Sequence, residues 1–167
     1  SRFDWVGLKN YLYLLSRTDM WRALRFTFSY TIACVGGEFV LGLILALLLH
    51  KTPVGREIFT AILVLPMMMT PIVSGLVWRL MYNPTYGVIN QTFGLGNLVW
   101  LGEVRYAVLA VILVTIWHNS AFVMVLVLAG LRSLAGEPFE AALIDGASPW
   151  QSFRYITLPL LKPTIMV

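Results

Sequence analysis

Polar side chains able to ionise or bond strongly stand inside otherwise apolar runs: Glu38 in the first run, Thr70 and Ser74 in the second, His118 and Asn119 in the third. An ionisable group in such a run costs free energy unless it faces protein or water. Glu38 and His118 therefore read either as walls of a polar route or as partners of a neighbouring helix. Thr115 precedes Asn119 by one turn, and this cluster has the donors and acceptors either to hold a hydroxylated solute or to join helices. Met68 joins the route candidates because it lies with Thr70 between two prolines, Pro66 and Pro71. Covalent and metal chemistry are poorly served. His50 and His118 are far apart with no carboxylate at ligand spacing, so no metal site is expected. There is no Ser, His and Asp set in evident reach and no Gly-rich loop ending in Gly-Lys-Ser or Gly-Lys-Thr. The glycines between Gly87 and Gly96 follow no strand and read as turns. The expectation is no catalytic residue and no cofactor, with any ATP bound and hydrolysed by a partner subunit.

The elements that must position these groups follow from composition. Hydrophobic residues make up 59% of the 167, charged residues only 12%, and the mean hydropathy is +0.79. That is too apolar for a wetted surface and predicts an all-α, multi-pass membrane protein with the lipid bilayer as its surroundings. The formal net charge of +4 comes from scattered basic residues without a basic stripe, which favours membrane phosphates over nucleic acid. Cys34 is the single cysteine, so no disulfide forms within the chain. Ser1 is not an initiator methionine, and the run 158–167 would rise only about 15 Å against a hydrocarbon core of about 30 Å. The sequence is therefore expected to be part of a longer membrane domain, ending in the start of a further span.

Residues 1–22 mix aromatics with charges, as a segment at a membrane surface does. Three complete spans are expected at 23–50, 57–82 and 105–131. Ala33 with Gly37, and Gly42 with Ala46, repeat the small-residue spacing that lets helices approach closely. Pro66 and Pro71 interrupt the second span and place Met68, Thr70 and Ser74 at a candidate pathway wall. The stretch 83–103 reads as a loop with a short interfacial helix.

After the third span, 137–156 reads as two short helices joined by a tight turn. Pro138 suits the first helical position, and Glu140 falls in a first turn where the helix dipole favours its charge. Asp145-Gly146 ends that helix, with Gly146 in the left-handed conformation. Ser148-Pro149-Trp150-Gln151 then has the form of a capping box. Phe139, Leu143, Trp150 and Phe153 are unusually apolar for a loop and are expected to be covered by a partner or by the helix ends.

Glu140-Ala141-Ala142, Asp145-Gly146-Ala147 and Ile156-Thr157-Leu158-Pro159 resemble the EAA loop of permease subunits of binding-protein-dependent ABC importers. The resemblance extends over nearly the whole chain and is strongest to the carbohydrate branch: Val6-Gly7-Leu8-Lys9-Asn10-Tyr11, Gly42-Leu43 with Ala46-Leu47-Leu48, Trp78, Gly87 with Asn90, Trp117 and Ala129-Gly130-Leu131. One departure is that Ala135-Gly136-Glu137-Pro138 stand where the family usually has Ile-Pro and a polar residue. The resemblance implies a conduit in the cytoplasmic (inner) membrane, not an enzyme, for sugars, oligosaccharides or glycerol phosphates. It implies a second permease subunit, two ATP-binding cassette subunits and an extracytoplasmic solute-binding protein as partners. In that reading Glu140, Ala141, Ala142, Asp145, Gly146 and Ala147 couple to the ATPase subunit from the cytoplasmic side, with Glu140 reaching a basic residue there. Lys51, Arg56, Arg132, Arg154 and Lys162 then lie inside, and Arg2, Lys9, Arg17, Arg22 and Arg25 outside, so the positive-inside rule lends no support. The residues alone also leave open an ion-gradient-driven secondary transporter, with Glu38 or His118 as its proton-coupled group, and a structural membrane protein with no conduit.

Overall fold

The computed structural model describes residues 7–52 and 54–165. The expectations that fall on 1–6, Pro53 and the last two residues lie outside that range. The described residues form helices and turns with no strand.

Helix α1 (Lys9–Ser16) is short and exposed. An extended Arg17 separates it from α2 (Thr18–Lys51), and Trp21 Nε1 donates to Leu15 O at 2.8 Å across the joint. The helix that carries the span expected from residue 23 begins at Thr18, inside the stretch read as a surface segment. Asp19 in the first turn and Lys51 in the last complement the helix dipole. At 34 residues α2 is about 50 Å long, more than the roughly 30 Å of hydrocarbon it has to cross.

The expected second span is two helices rather than one. Helices α3 (Arg56–Met68) and α4 (Pro71–Met81) meet at 97°. Pro71 disfavours helical backbone in the residue before it, and both Met69 and Thr70 are extended, with ψ of 143° and 146°. Pro66 is held within the last turn of α3. Thr70 then caps α4, its Oγ1 accepting from Val73 N at 3.4 Å. Two described helices, α2 and α6 (Val104–Ser133), are each long and apolar enough to cross a bilayer, and the bent pair makes a third only if it counts as one span.

Helices α2 and α6 form the backbone of the fold. An added Cβ at Gly37 would overlap Ile116, and one at Gly42 would lie 2.7 Å from Val123 Cβ and 2.9 Å from Ser120 O. These glycines let the two helices touch. Ala46 is fully buried, whereas Ala33 is exposed and its neighbour Cys34 occupies the seam instead. The contact row therefore runs Cys34, Glu38, Gly42 and Ala46 at four-residue spacing. At one end Ala46 and Leu49 join Met124, Val127, Leu128, Leu131 and Leu161 in a core. At the other, Tyr82, Trp100 and Ala110 are buried with Trp78 and Tyr106 packed around them, an aromatic cluster suited to a membrane boundary.

The 83–103 segment contains one short helix, α5 (Val88–Phe93), as expected. Asn90 organises it. Its Nδ2 donates to Leu98 O at 2.9 Å, and its Oδ1 accepts from Trp100 Nε1 at 2.8 Å. Asn83 Oδ1 accepts from the backbone of Thr85 and Tyr86. Gly87 fits between the Met81 and Asn83 carbonyls, where a side chain would clash.

Candidate functional site

The elbow is built almost wholly from local chemistry. Helix α7 (Glu137–Ile144) starts from Gly136, whose carbonyl accepts from Phe139 N and Glu140 N at 3.0 and 3.1 Å. Pro138 is the second helical residue, one place later than the sequence predicts. The C-terminus closes with two bonds, Gly146 N to Leu143 O at 3.2 Å and Ala147 N to Ala142 O at 2.9 Å. With Gly146 at φ +74°, this is a Schellman motif, and it brings Ala142 and Ala147 together. The capping box then starts α8 (Pro149–Ser152). Ser148 N donates to Gln151 Oε1 at 2.7 Å, and Gln151 N donates to Ser148 Oγ at 3.3 Å.

A π-helical turn (Phe153–Thr157) links α8 to α9 (Leu158–Ile165). Leu158 N reaches back five residues to Phe153 O, and Thr157 Oγ1 does the same to Ser152 O. Pro159 has no N–H for the carbonyl four residues earlier, and its ring would crowd that carbonyl, so a widened turn here is a way to accommodate it.

These constraints leave Glu140, Ala141, Asp145 and Gly146 exposed, while Ala142 is buried and Ala147 half-buried. Among the described residues the Glu140 carboxylate has no hydrogen-bond or ion-pair partner. Leu143 and Ile144 are 80% and 85% exposed and Trp150 is 65% exposed. The helix ends therefore do not cover Leu143 or Trp150. Phe139 and Phe153 are half-buried against a cavity below the elbow. The result is a knob with three exposed carboxylates, Glu137, Glu140 and Asp145, and an apolar tip.

Several polar groups within the helices are paired between helices, whereas Trp78 Nε1 is buried without a hydrogen-bond partner among the described residues. Asn119 Nδ2 donates to Glu38 Oε1 at 3.1 Å between α6 and α2. His118 Nδ1 lies 3.2 Å from Ser74 Oγ between α6 and α4, and Ser74 is buried. Tyr30 OH and Thr115 Oγ1 meet at 3.2 Å. Trp78 packs edge-on to Trp117 with ring centres 5.4 Å apart. Helix α6 thus presents three successive hydrogen-bonding positions to two different helices. Met68 and Thr70 do not join this belt, being exposed at the 97° bend. Among the described residues no group of three His, Cys, Asp or Glu could hold a metal. Tyr30 was not singled out from the sequence, although it starts the four-residue row that continues through Cys34, Glu38 and Gly42.

Residues 38–167 match the family described as "Binding-protein-dependent transport system inner membrane component". The chain is 40% identical over 165 residues to the trehalose/maltose transport system permease protein MalF of Thermococcus litoralis, covering 97% of this chain and 56% of that protein. It is 34% identical to the multiple sugar-binding transport system permease protein MsmF of Streptococcus mutans, covering 98% of this chain and 57% of that one. The chain spans a little over half the length of these relatives. A crystal structure of a bacterial ABC transporter involved in the import of the acidic polysaccharide alginate superposes with a TM-score of 0.85 at 25% identity, covering 98% of this chain and 59% of its own. The alginate transporter in complex with its pentasaccharide-bound periplasmic protein gives a TM-score of 0.81 at 28% identity, covering 97% of this chain and 58% of its own.

Proposed function

Because the chain belongs to the family of binding-protein-dependent transport system inner membrane components, we propose that it forms part of a permease subunit of an ABC importer. The cargo is a sugar or a related polyol or glycerol phosphate. The relatives named for trehalose, maltose and multiple-sugar transport support that class. The membrane is the cytoplasmic (inner) membrane. The partners are a second permease, two ATP-binding cassette subunits and an extracytoplasmic solute-binding protein, the last supported by the periplasmic protein seen with the alginate transporter.

One observation carries the mechanism: the elbow is stiffened at both its turns yet exposes Glu140, Leu143 and Ile144. A knob of this kind, set into a groove on an ATPase subunit, transmits displacement instead of absorbing it. Leu161, next along the chain, is fully buried in the core shared by α2 and α6, so movement of the elbow reaches both long helices. Those helices are the ones joined by Glu38 and Asn119. Catalysis and cofactor binding fall to the ATPase partner, and this chain supplies the conduit. An ion-gradient carrier would have Glu38 or His118 free to exchange protons with a water path, and both are hydrogen-bonded to neighbouring helices.

The test is reconstitution of the full-length permease with its partners in proteoliposomes. Uptake of a labelled oligosaccharide should require ATP inside and binding protein outside. Uptake driven by an imposed proton or sodium gradient without ATP would overturn the reading.

A further inference from the structure

A cavity of about 920 Å³ lies between the elbow and the ends of α2 and α6, close to the upper end of the roughly 300–1,000 Å³ common for small-molecule sites. Its polarity runs in one direction along α2. Leu43 lines it within the span, and His50 and Lys51 line it at the helix end, about 12 Å further along the axis. Phe139 and Trp150 of the elbow form apolar walls, and Arg132, in the last turn of α6, adds a second basic side chain to the lining. Among the described residues no acidic side chain lines the cavity. Among the described residues neither Lys51 nor Arg132 forms an ion pair, although Arg132 also borders a smaller recess containing Arg56 and Glu57.

We infer that this cavity binds one anionic phospholipid, with its phosphate between Lys51 and Arg132 and its acyl chains against Leu43, Phe139 and Trp150. The order of the lining residues matches the order of parts in such a molecule, and the site opens where two apolar helices end. A free phosphate would satisfy the cations but leave the apolar walls wet. A zwitterionic lipid would bring its own cation towards two others. The bound lipid forms part of the elbow's seat, so the charge of the surrounding bilayer becomes a control on the transmission of movement. This holds whatever solute is carried.

The experiment uses the full-length permease in its assembled transporter, in nanodiscs of phosphatidylglycerol and phosphatidylcholine. Native mass spectrometry reads the phosphatidylglycerol retained on gentle release. A basic residue near a membrane surface changes anionic-lipid binding by roughly fivefold. Lys51→Gln and Arg132→Gln should each lower retention by about that factor, and Arg105→Gln at the opposite end of α6 should not. Retention unchanged in both Lys51→Gln and Arg132→Gln overturns the inference. Should these variants fail to assemble, brominated lipid tests the same site with both cations intact. Brominated phosphatidylglycerol should quench a share of tryptophan fluorescence that disappears in Trp150→Phe, and brominated phosphatidylcholine should quench it less. Equal quenching by the two lipids, or no share lost in Trp150→Phe, means another occupant fills the cavity and also overturns the inference.

Discussion

Asn119 on α6 donates to the carboxylate of Glu38 on α2 across 3.1 Å, beside the point where Gly42 brings the two helices into contact. The bond joins residues 81 apart in sequence and fixes the register of the two longest helices. Glu38→Gln keeps an acceptor and should leave assembly and transport near their original level. Glu38→Leu leaves the Asn119 amide without its acceptor and should cost roughly 0.6–2 kcal/mol. Thermal unfolding of the full complex in detergent reads the difference. Equal losses in both variants would show that the negative charge, and not the hydrogen bond, matters.

The glycine seam gives a second expectation. Gly42→Val places atoms where Val123 and the Ser120 carbonyl already stand, and overpacking of this kind costs about 1–3 kcal/mol. Gly36→Ala meets nothing within 4 Å and is the matched control. Gly42→Val should lower the yield of folded permease, measured by size-exclusion profile, and Gly36→Ala should not.

At the elbow, Glu140→Ala separates two roles. An exposed carboxylate that only favours a helix N-terminus contributes about 0.3–1 kcal/mol, whereas truncating one member of a buried interfacial charge pair costs about 2–5 kcal/mol. Co-purification of the ATPase subunit and transport are compared with Glu103→Ala at the far end of α6. The expected outcome is a large loss for Glu140→Ala alone, and parity with the control rejects the docking role.

Gly146 tests the turn separately from the charge. At φ +74° a side chain is strained by roughly 1–2 kcal/mol. Gly146→Val should therefore weaken ATPase attachment while leaving the spans inserted. Protease sensitivity at the elbow is the readout, and an unchanged digestion pattern would contradict it.

The bend makes a labelling prediction. Cysteines at Met68 and Thr70 should react with thiol probes in the isolated permease, both being exposed, whereas one at buried Ser74 should be protected. Val54 and Ile144 should label from one side of the membrane and Tyr86 from the other. Labelling of Val54 and Ile144 from opposite sides would defeat the topology.

What could be read in advance was set by neighbours in the chain. The capping box at Ser148 and Gln151, the left-handed Gly146 and the small residues at Gly37, Gly42 and Ala46 each follow from a few adjacent residues. Proline marked the break in the second span, but the 97° angle depends on what packs either side of Met69 and Thr70, which no local pattern encodes. Ala33 was misplaced because the small-residue spacing fits it as well as Cys34, and only the facing helix distinguishes them. The pairs Tyr30–Thr115 and Ser74–His118 depend on tertiary register, so their hydroxyls and imidazole looked equally suited to solute.

The π-helical turn at Phe153–Thr157 holds slack between the elbow and the membrane. An α-helix advances about 100° per residue, whereas the wider π turn takes one extra residue in about the same total rotation. Deleting a single residue there would let the turn close to α-helical geometry with Leu161 still against Leu128 and Leu131, whereas deleting one between Thr157 and Leu161 would turn Leu161 away by about 100°. Single-residue deletions between 153 and 157 should therefore be tolerated far better than deletions between 158 and 160. What this stretch holds is one spare residue, taken up without re-aiming α9.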